Sequence, residues 1–180
     1  MSTLNLTLRP EPLTREAFAQ FGQVIEISDQ EPLVINQGNT LRYDSLAPVE
    51  LSGPEDYGVM NLFRAQPRTL PMTIEMMERH PLGSQAFIPV SGEPYLVLVG
   101  LPKKGEAENT PDPASLTLFL AGADQGVNYA RNTWHHPVLG LNKVCDFLVV
   151  DRKGPGNNCV EHYFDPSLSI IINMDEAIAS

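Results

Sequence analysis

The fold is decided by the stretch Gln85-Ala-Phe-Ile-Pro-Val-Ser-Gly-Glu-Pro-Tyr-Leu-Val-Leu-Val99, in which a polar turn separates two apolar runs. Each run is short, rich in Val, Ile, Leu and Phe, and bounded by Gly or Pro, which is typical of β-strands. The pattern recurs along the chain and predicts strands at Gln23–Ile27, Leu33–Asn36, Val59–Ala65, Gln85–Val90, Tyr95–Val99, Leu116–Leu120, Val144–Val150 and Ser169–Asn173. Short strands at this turn-like spacing favour a sandwich, a jelly roll or a barrel.

Composition agrees with a mainly β fold. Proline, with 16 of 180 residues, has roughly twice its usual share, and charged residues make up only 19%. The clearest helix is predicted over Leu13–Gly22, where Thr14 can cap the N-terminus and Gly22 can end the helix. We find no linker and no internal repeat, so we expect residues 1–180 to form a single domain.

The charge of the chain excludes several classes of partner. Its 22 acidic and 12 basic residues give a formal charge of −10, and no cluster of Lys or Arg offers a surface for nucleic acid or an anionic membrane. No apolar run approaches the roughly 20 residues of a membrane span, and the N-terminus lacks the pattern of a signal peptide. Cys145 and Cys159 have no metal-site or disulfide-framework spacing, so we expect free thiols and a cytoplasmic protein.

The segment Leu70–Pro81 is compatible with a helix or a strand. In a helix, Glu78 and His80 would diverge, because residues two apart do not share a helical face. In a strand they point the same way, together with Ile74 and Met76. Pro81 favours an extended backbone at the preceding residue and therefore the strand.

Three of the four histidines lie in two short stretches, Glu78-Arg-His-Pro81 and Trp134-His-His-Pro137. A single histidine is most often a structural residue bonded to a backbone carbonyl, since few histidines titrate or bind a ligand usefully. Two such stretches, each closed by proline and each beside a predicted strand, favour a shared site instead.

The spacing Glu78-x-His80-x4-Gln85-x6-Gly92 is similar to the first cupin motif, and Asn132-x2-His135 resembles the end of the second. In the cupin family the matching residues face into a double-stranded β-helix (jelly-roll) barrel and hold a divalent metal. Here Glu78 stands where a His is usual and Gln85 where a Glu is usual. The resemblance implies Glu78, His80 and His135 as ligands of a metal such as nickel or zinc, whose borderline character suits imidazole and tolerates carboxylate. A protein without a metal remains the alternative.

Two longer stretches closely resemble the ureidoglycolate lyase family: Glu78-Arg-His-Pro-Leu-Gly-Ser-Gln-Ala-Phe-Ile-Pro89 and Gln125-Gly-Val-Asn-Tyr-Ala-Arg-Asn-Thr-Trp-His-His-Pro137. Shorter matches are Arg64-Ala-Gln-Pro67, Arg42-Tyr43, Asp146-Phe147 and Asp151-Arg152. The resemblance implies a cupin-like barrel with an N-terminal helix, a homodimer, and a cytosolic enzyme of allantoin degradation. The implied reaction splits (S)-ureidoglycolate into glyoxylate and urea, with a divalent metal, nickel among them, as cofactor.

The residue types suit this chemistry. Cleavage needs a base that takes the proton of the substrate hydroxyl, and His80 or His135 can fill this role. An acid must protonate the leaving nitrogen, and Glu78 can do so. Cleavage also needs a cation for the carboxylate, for which the planar fork of Arg64 or Arg42 is suited. Either arginine could instead form a surface ion pair. Further substrate contacts are expected from Asn36, Gln85 and His136.

Two other functions remain open from the sequence. One is an amidohydrolase acting on the same substrate and releasing ammonia and carbon dioxide. Such an enzyme usually holds a pair of metal ions, and four histidines with a Gln ligand make such a pair less favourable. The other is a non-catalytic cupin-like module that binds a small carboxylate such as glyoxylate.

Overall fold

The computed structural model describes residues 4–27, 30–105 and 109–174. Within these ranges the chain forms one short α-helix, α1 (Arg15–Phe18), and seventeen strands. The strands are β1 (Leu4–Leu8), β2 (Glu11–Pro12), β3 (Gly22–Ile25), β4 (Leu33–Ile35), β5 (Thr40–Arg42), β6 (Tyr57–Ala65), β7 (Met72–Thr73), β8 (Met76–Arg79), β9 (Gln85–Pro89), β10 (Tyr95–Gly100), β11 (Thr117–Ala121), β12 (Gly126–Tyr129), β13 (Trp134–His135), β14 (Leu139–Gly140), β15 (Cys145–Lys153), β16 (Val160–Tyr163) and β17 (Leu168–Ile172). The fold is therefore mainly β, as the sequence predicts, and each of the eight predicted strands is present with its ends shifted by a few residues.

A seven-stranded sheet forms the middle of the molecule, in the order β16-β8-β13-β10-β11-β2, with β14 also paired to β10. Every residue of β10 is buried, because both faces of this sheet are covered. Side chains alternate along a strand, so Tyr95, Val97 and Val99 enter one apolar cluster while Leu96 and Leu98 enter another.

The first cluster lies between the central sheet and a five-stranded sheet of order β3-β12-β9-β15-β6. Aromatic rings in tilted or edge-to-face contact fill much of it, namely Phe18, Phe21, Phe87, Tyr95, Phe119, Tyr129 and Phe147. These two sheets form a sandwich.

The second cluster lies on the other face of the central sheet. It is closed by a three-stranded sheet of order β1-β17-β7, from which Ile170 and Ile172 are fully buried. Strands β4 and β5 form a separate two-stranded hairpin. None of the helical segments in the described ranges is long and apolar enough to cross a membrane.

The N-terminal helix is shorter than the sequence predicts. Thr14 caps it as expected, accepting a hydrogen bond from the Ala17 amide over 3.2 Å, but the helix ends at Phe18. Gly22 does not stop a long helix; it begins β3, with a φ of +149° and its Cα so close to the Asn128 carbonyl that a β-carbon would clash. Pairing of β3 with β12 therefore prevails over the local helix pattern.

The ambiguous segment 70–81 forms two strands, β7 and β8, separated by Ile74 and Glu75. This break changes the alternation of side chains, so Ile74 is buried with Met77 in the second cluster. The expectation that Ile74 shares a face with Glu78 is wrong, although the predicted extended backbone before Pro81 is present.

Candidate active site

The site is assembled where β8 pairs with β13. In this antiparallel pair Glu78 is the direct partner of His135, and Oε1 of Glu78 lies 3.6 Å from Nε2 of His135. The His135 side chain is buried, whereas that of Glu78 keeps 19% of its surface exposed. Two residues 57 positions apart in the sequence are thus brought together by the register of one short ladder.

His80 follows the end of β8 and completes the cluster. Its ring centroid lies 5.1 Å from that of His135. Its Nδ1 donates to the carbonyl of Asn158 over 2.6 Å, and its Nε2 faces Oε1 of Gln85 at 3.2 Å. Since a carbonyl only accepts, Nδ1 carries a proton, and the imidazole is anchored at that nitrogen.

The hydrogen bonding of His135 defines which of its nitrogens is available. Nδ1 lies 2.9 Å from the carbonyl of Thr133, which can only accept, so Nδ1 carries a proton. Nε2 is buried and has no hydrogen-bond partner among the residues described. In the neutral imidazole the lone pair is then on Nε2, on the side of Glu78.

Burial and neighbouring charges act on the ionisation of the cluster. Burial by itself would raise the pKa of Glu78, but the interaction with His135 and the charges of His80 and His136 outweigh it and lower that pKa below its usual range. Burial, followed by the charge of His135, lowers the pKa of His80, and burial also lowers the pKa of His136. Glu78 is therefore a carboxylate at neutral pH.

A cavity of about 460 Å³ opens onto this cluster. Its lining comprises Phe63, Arg64, Ala65, Gln66, Arg68, Glu78, Gln85, Phe87, Pro137 and Val138. Glu78 and Gln85 lie on the side of the cavity next to the histidines, which we call its floor; His80 and His135 contact these two residues but do not line the cavity. Such a mainly apolar pocket with a few convergent polar groups is typical of small-molecule sites.

The predicted arginines are both in ion pairs. Arg64 lies at the edge of the cavity and binds both carboxylate oxygens of Asp146, at 2.8 and 2.9 Å. Arg42 pairs with Asp44 at 2.6 Å. The surface ion pair that the sequence left open for each arginine is thus present, and Arg42 does not line the cavity.

Two further predicted contacts also lie outside the cavity lining. Asn36 is in the turn of the β4–β5 hairpin, with a φ of +52°, and donates to Thr40 over 3.1 Å. His136 is buried and donates from Nδ1 to the Pro137 carbonyl over 2.8 Å. The structure therefore gathers Glu78, His80, His135 and Gln85 but leaves Arg42, Asn36 and His136 outside this pocket.

Comparison with known proteins decides the family. Residues 5–171 match the ureidoglycolate lyase family. The chain belongs to the ureidoglycolate lyase family. Proteins named ureidoglycolate lyase from Pseudomonas putida F1 and Pseudomonas aeruginosa PAO1 are 51% and 49% identical to it over 167 residues. These alignments cover 93% of this chain and 97% and 96% of the two relatives, so the resemblance inferred from the two long motifs is confirmed.

Several residues around the site of this ureidoglycolate lyase family member are missed by sequence reasoning. Arg68 lines the cavity four residues after Arg64, and its guanidinium has no hydrogen bond or ion pair with the residues described. Tyr129 stacks on His135, and Cys159 lies 3.8 Å from Oε2 of Glu78. Proximity of Arg68 to the Arg64 motif could have identified it, but nothing in the sequence signals the other two contacts.

The cluster also has the donor types and spacing of a metal site. One ligand atom from each of Glu78, His80 and His135 lies within 4.8 Å of the others. The unpartnered Nε2 of His135 fits a metal ligand, since a buried polar atom is normally satisfied. Two imidazoles and a carboxylate suit a divalent transition metal. A second group of this kind, Glu78, Cys159 and Glu161, shares Glu78 but is largely exposed.

Proposed function

We propose that this protein is a carbon–nitrogen lyase that cleaves (S)-ureidoglycolate to glyoxylate and urea, a step of allantoin degradation. Membership of the family and the name shared by its relatives support this activity. The observation that carries the proposal is the unpartnered Nε2 of His135, 3.6 Å from the carboxylate of Glu78 at the floor of the cavity.

Glu78 is the group that meets the substrate hydroxyl, because its carboxylate lines the cavity and is ionised. It removes the hydroxyl proton as the C–O bond gains double-bond character and the C–N bond breaks. His135 can take this proton at Nε2, since that nitrogen bears the lone pair and hydrogen bonds of active sites often shorten when substrate binds. The proton then returns through Glu78 to the leaving nitrogen, so glyoxylate and urea form with no net proton change.

The carboxylate of the substrate requires a cation at the cavity. We assign this role to Arg68, whose guanidinium is not engaged with the described residues, together with Arg64. Arg64 already uses two of its donors for Asp146, which leaves it fewer for a ligand. Gln85, at the floor of the cavity, is placed to donate or accept a hydrogen bond. Asn36, Arg42 and His136 stay predicted substrate contacts, which this pocket does not include.

Glu78, His80 and His135 are also the residues that would hold a divalent metal, nickel or zinc. Bound there, such an ion would lower the pKa of the substrate hydroxyl. The Asn158 carbonyl orients His80 and the Thr133 carbonyl orients His135. This arrangement suits catalysis with or without a metal, because an imidazole that binds a metal through one nitrogen commonly donates a hydrogen bond from the other to a carbonyl.

The finer features of the molecule belong to the same proposal. We propose that the two packed sheets are the cupin-like jelly-roll barrel of a single domain. The protein would act as a cytoplasmic homodimer on a small molecule and would bind neither nucleic acid nor membrane. Free thiols at Cys145 and Cys159 are consistent with a reducing compartment. The exposed Met60 and Leu62 on edge strand β6 are consistent with a subunit contact.

The test is a product assay on the purified protein with (S)-ureidoglycolate, in which urea and ammonia are measured separately against a blank without protein. Urea above the blank is expected. Ammonia in place of urea would identify an amidohydrolase, and no product above the blank would leave a carboxylate-binding module. If a chelator abolishes urea release and nickel or zinc restores it, Glu78, His80 and His135 are metal ligands. Urea release that is unchanged by the chelator would contradict a metal-dependent reaction.

A further inference from the structure

The cavity of the candidate active site is larger and more apolar than ureidoglycolate requires. Its volume of about 460 Å³ lies in the range of pockets that hold ligands of drug size. Ureidoglycolate, in contrast, carries a carboxylate, a hydroxyl and a ureido group on one carbon and has no hydrocarbon group. Part of the cavity therefore stays unfilled when this substrate is bound.

One side of the cavity is formed by apolar side chains, which we call the apolar wall. Its residues are Phe63, Ala65, Phe87, Pro137 and Val138. The rings of Phe63 and Phe87 meet edge-to-face, with centroids 5.7 Å apart. Phe87 is buried, but Phe63 keeps 40% of its surface exposed. The exposed part of this ring offers a contact for an apolar group of a ligand.

The apolar wall begins beside the floor of the cavity. Gln85 and Phe87 are two positions apart in β9, so their side chains point to the same face of the sheet, about 7 Å apart along the strand. Phe63 continues the apolar surface through its contact with Phe87. A ligand whose polar end meets Glu78 and Gln85 can therefore extend an apolar end over the two rings.

The contacts proposed for the other substrate groups leave the ureido group to this side of the cavity. Arg68 and Arg64 are assigned to the carboxylate, and Glu78 is assigned to the hydroxyl. Gln66 and Gln85 can bond to the ureido carbonyl and to the inner N–H. The outer nitrogen then faces the apolar wall, where a bare NH₂ group loses hydrogen bonds to water. A hydrocarbon group on that nitrogen would instead be removed from water, which is favourable.

We propose, on the basis of the lyase function above, that the substrates of this site include ureidoglycolates whose outer nitrogen carries an alkyl or aryl group. In such a compound the bond between the hydroxyl-bearing carbon and the inner ureido nitrogen breaks, and the hydroxyl proton moves to that nitrogen. The C–O bond becomes the aldehyde carbonyl of glyoxylate, and the substituted urea leaves. The substituent takes no part in the chemistry, so the reaction needs no further reactant.

Two synthetic substrates of equal length test the apolar wall. One carries a butyl group on the outer nitrogen, and the other carries a 3-hydroxypropyl group, in which a hydroxyl replaces the terminal methyl. Release of each substituted urea is measured against a blank without protein, and ureidoglycolate is assayed in parallel. We expect kcat/KM for the butyl compound to be about tenfold higher or more, because the hydroxyl loses its hydrogen bonds to water at the wall.

The substitution Phe63→Asn places a polar side chain in the apolar wall. It should reduce the preference for the butyl compound over the 3-hydroxypropyl compound to about threefold or less. Tyr57→Asn is the matched control, because Tyr57 is an exposed aromatic residue of the same strand that does not line the cavity. This control should keep the wild-type preference. Thermal unfolding of both variants verifies that they are folded.

The outcomes separate this inference from the lyase proposal. The inference is wrong if the protein releases urea from ureidoglycolate but cleaves neither substituted compound, or cleaves both equally well. It is also wrong if Phe63→Asn keeps the wild-type preference. If no urea and no substituted urea is released, the lyase proposal itself is wrong.

A binding measurement decides the role of the apolar wall without turnover. N-carbamoylglycine lacks the hydroxyl, so it cannot be cleaved to glyoxylate, and its outer nitrogen can carry the same two substituents. In calorimetric titrations of the wild-type protein, the butyl derivative should bind about tenfold more tightly than the 3-hydroxypropyl derivative. Equal Kd values for the two derivatives would contradict the inference, whether or not the protein releases urea.

Discussion

The imidazole of His135 lies flat against the phenol ring of Tyr129, with ring centroids 4.1 Å apart and planes only 10° apart. Tyr129 is fully buried at the end of β12, and burial, followed by the charge of Glu78, raises its pKa well above the usual value. The ring is therefore neutral at any working pH. It supports one face of the imidazole, while the Thr133 carbonyl fixes the imidazole edge.

Replacement of Tyr129 by Leu should reduce kcat by roughly tenfold, because His135 loses the flat surface that holds its ring toward Glu78 and a misplaced group is costly to the rate. Tyr129→Phe is the matched control, since it keeps the stacked ring, and should retain most of the activity. Steady-state kinetics of both variants measure the difference. Equal losses in the two variants would show that stacking is not what matters.

His135→Gln should lower kcat by about 10²- to 10⁴-fold, the usual contribution of general acid–base catalysis, with little change in KM. Gln is close in size to His but has no group that can take up a proton at the position of Nε2. His162→Gln removes a histidine that the proposed site does not use and should leave the kinetics near those of the wild type. Turnover of His135→Gln within a few-fold of the wild type would exclude the proposed proton transfer.

Arg68→Ala should mainly raise KM, by tenfold or more, because the guanidinium without a protein partner is the better carboxylate ligand. Arg64→Ala should raise KM less, since Arg64 already shares two hydrogen bonds with Asp146. Saturation curves for the two variants distinguish the assignments. A larger rise in KM for Arg64→Ala than for Arg68→Ala would make Arg64 the main carboxylate ligand. Near-wild-type KM values for both variants would show that the substrate carboxylate does not bind at this edge of the cavity.

Leu98→Ala should lower the free energy of unfolding by about 2–5 kcal/mol, because Leu98 lies in the central strand, is fully buried, and leaves a cavity when truncated. Leu62→Ala is the control: its side chain is 77% exposed, so a change within about 0.5 kcal/mol is expected for the monomer. Urea unfolding of both variants measures these values. A large loss for Leu62→Ala that depends on protein concentration would instead indicate a subunit contact.

Asp56 forms a buried ion pair with Arg152 and also accepts hydrogen bonds from the Ser52 and Gly53 amides. The hydrogen bond from Arg152 is the main reason why the pKa of Asp56 falls to about 2. Since an unfolded Asp has a pKa of about 3.9, the stabilisation should be complete above about pH 4 and lost as the pH falls through about 2.

Asp56→Asn removes this titration, so the variant should be less stable than the wild type at pH 6, and the gap should narrow as the pH falls toward 2. Urea midpoints of the two proteins between pH 6 and pH 2.5 measure it. A gap that stays constant over this range would mean that the charge of Asp56 contributes no stability.

The strands and the centre of the site could be read from the chain alone. Short apolar runs bounded by Gly and Pro are a local signal, and the eight strands they predict are present. The two-residue spacing of Glu78 and His80 before Pro81 is also local. Family motifs then connected that spacing to the stretch that holds His135.

Other features could not be read because they depend on which strands become neighbours. Asn128 is polar yet buried in β12, a strand the sequence did not reveal, because its amide finds partners in Gln23 and the Pro48 carbonyl. The helix predicted over residues 13–22 was cut short by the pairing of β3 with β12, which a local propensity cannot anticipate.

The chain by itself therefore determined the strand-rich class, the family and the pair of histidine stretches, since each rests on residues close together in sequence. Only the tertiary structure decided that Arg64 faces Asp146, that Arg68 lines the cavity without an ion-pair partner among the described residues, and that Gln85 lies between His80 and Asp151. Each of these relationships depends on the register between distant strands and on the directions in which buried groups can donate or accept a hydrogen bond. Those directions exist only once the sheets have packed.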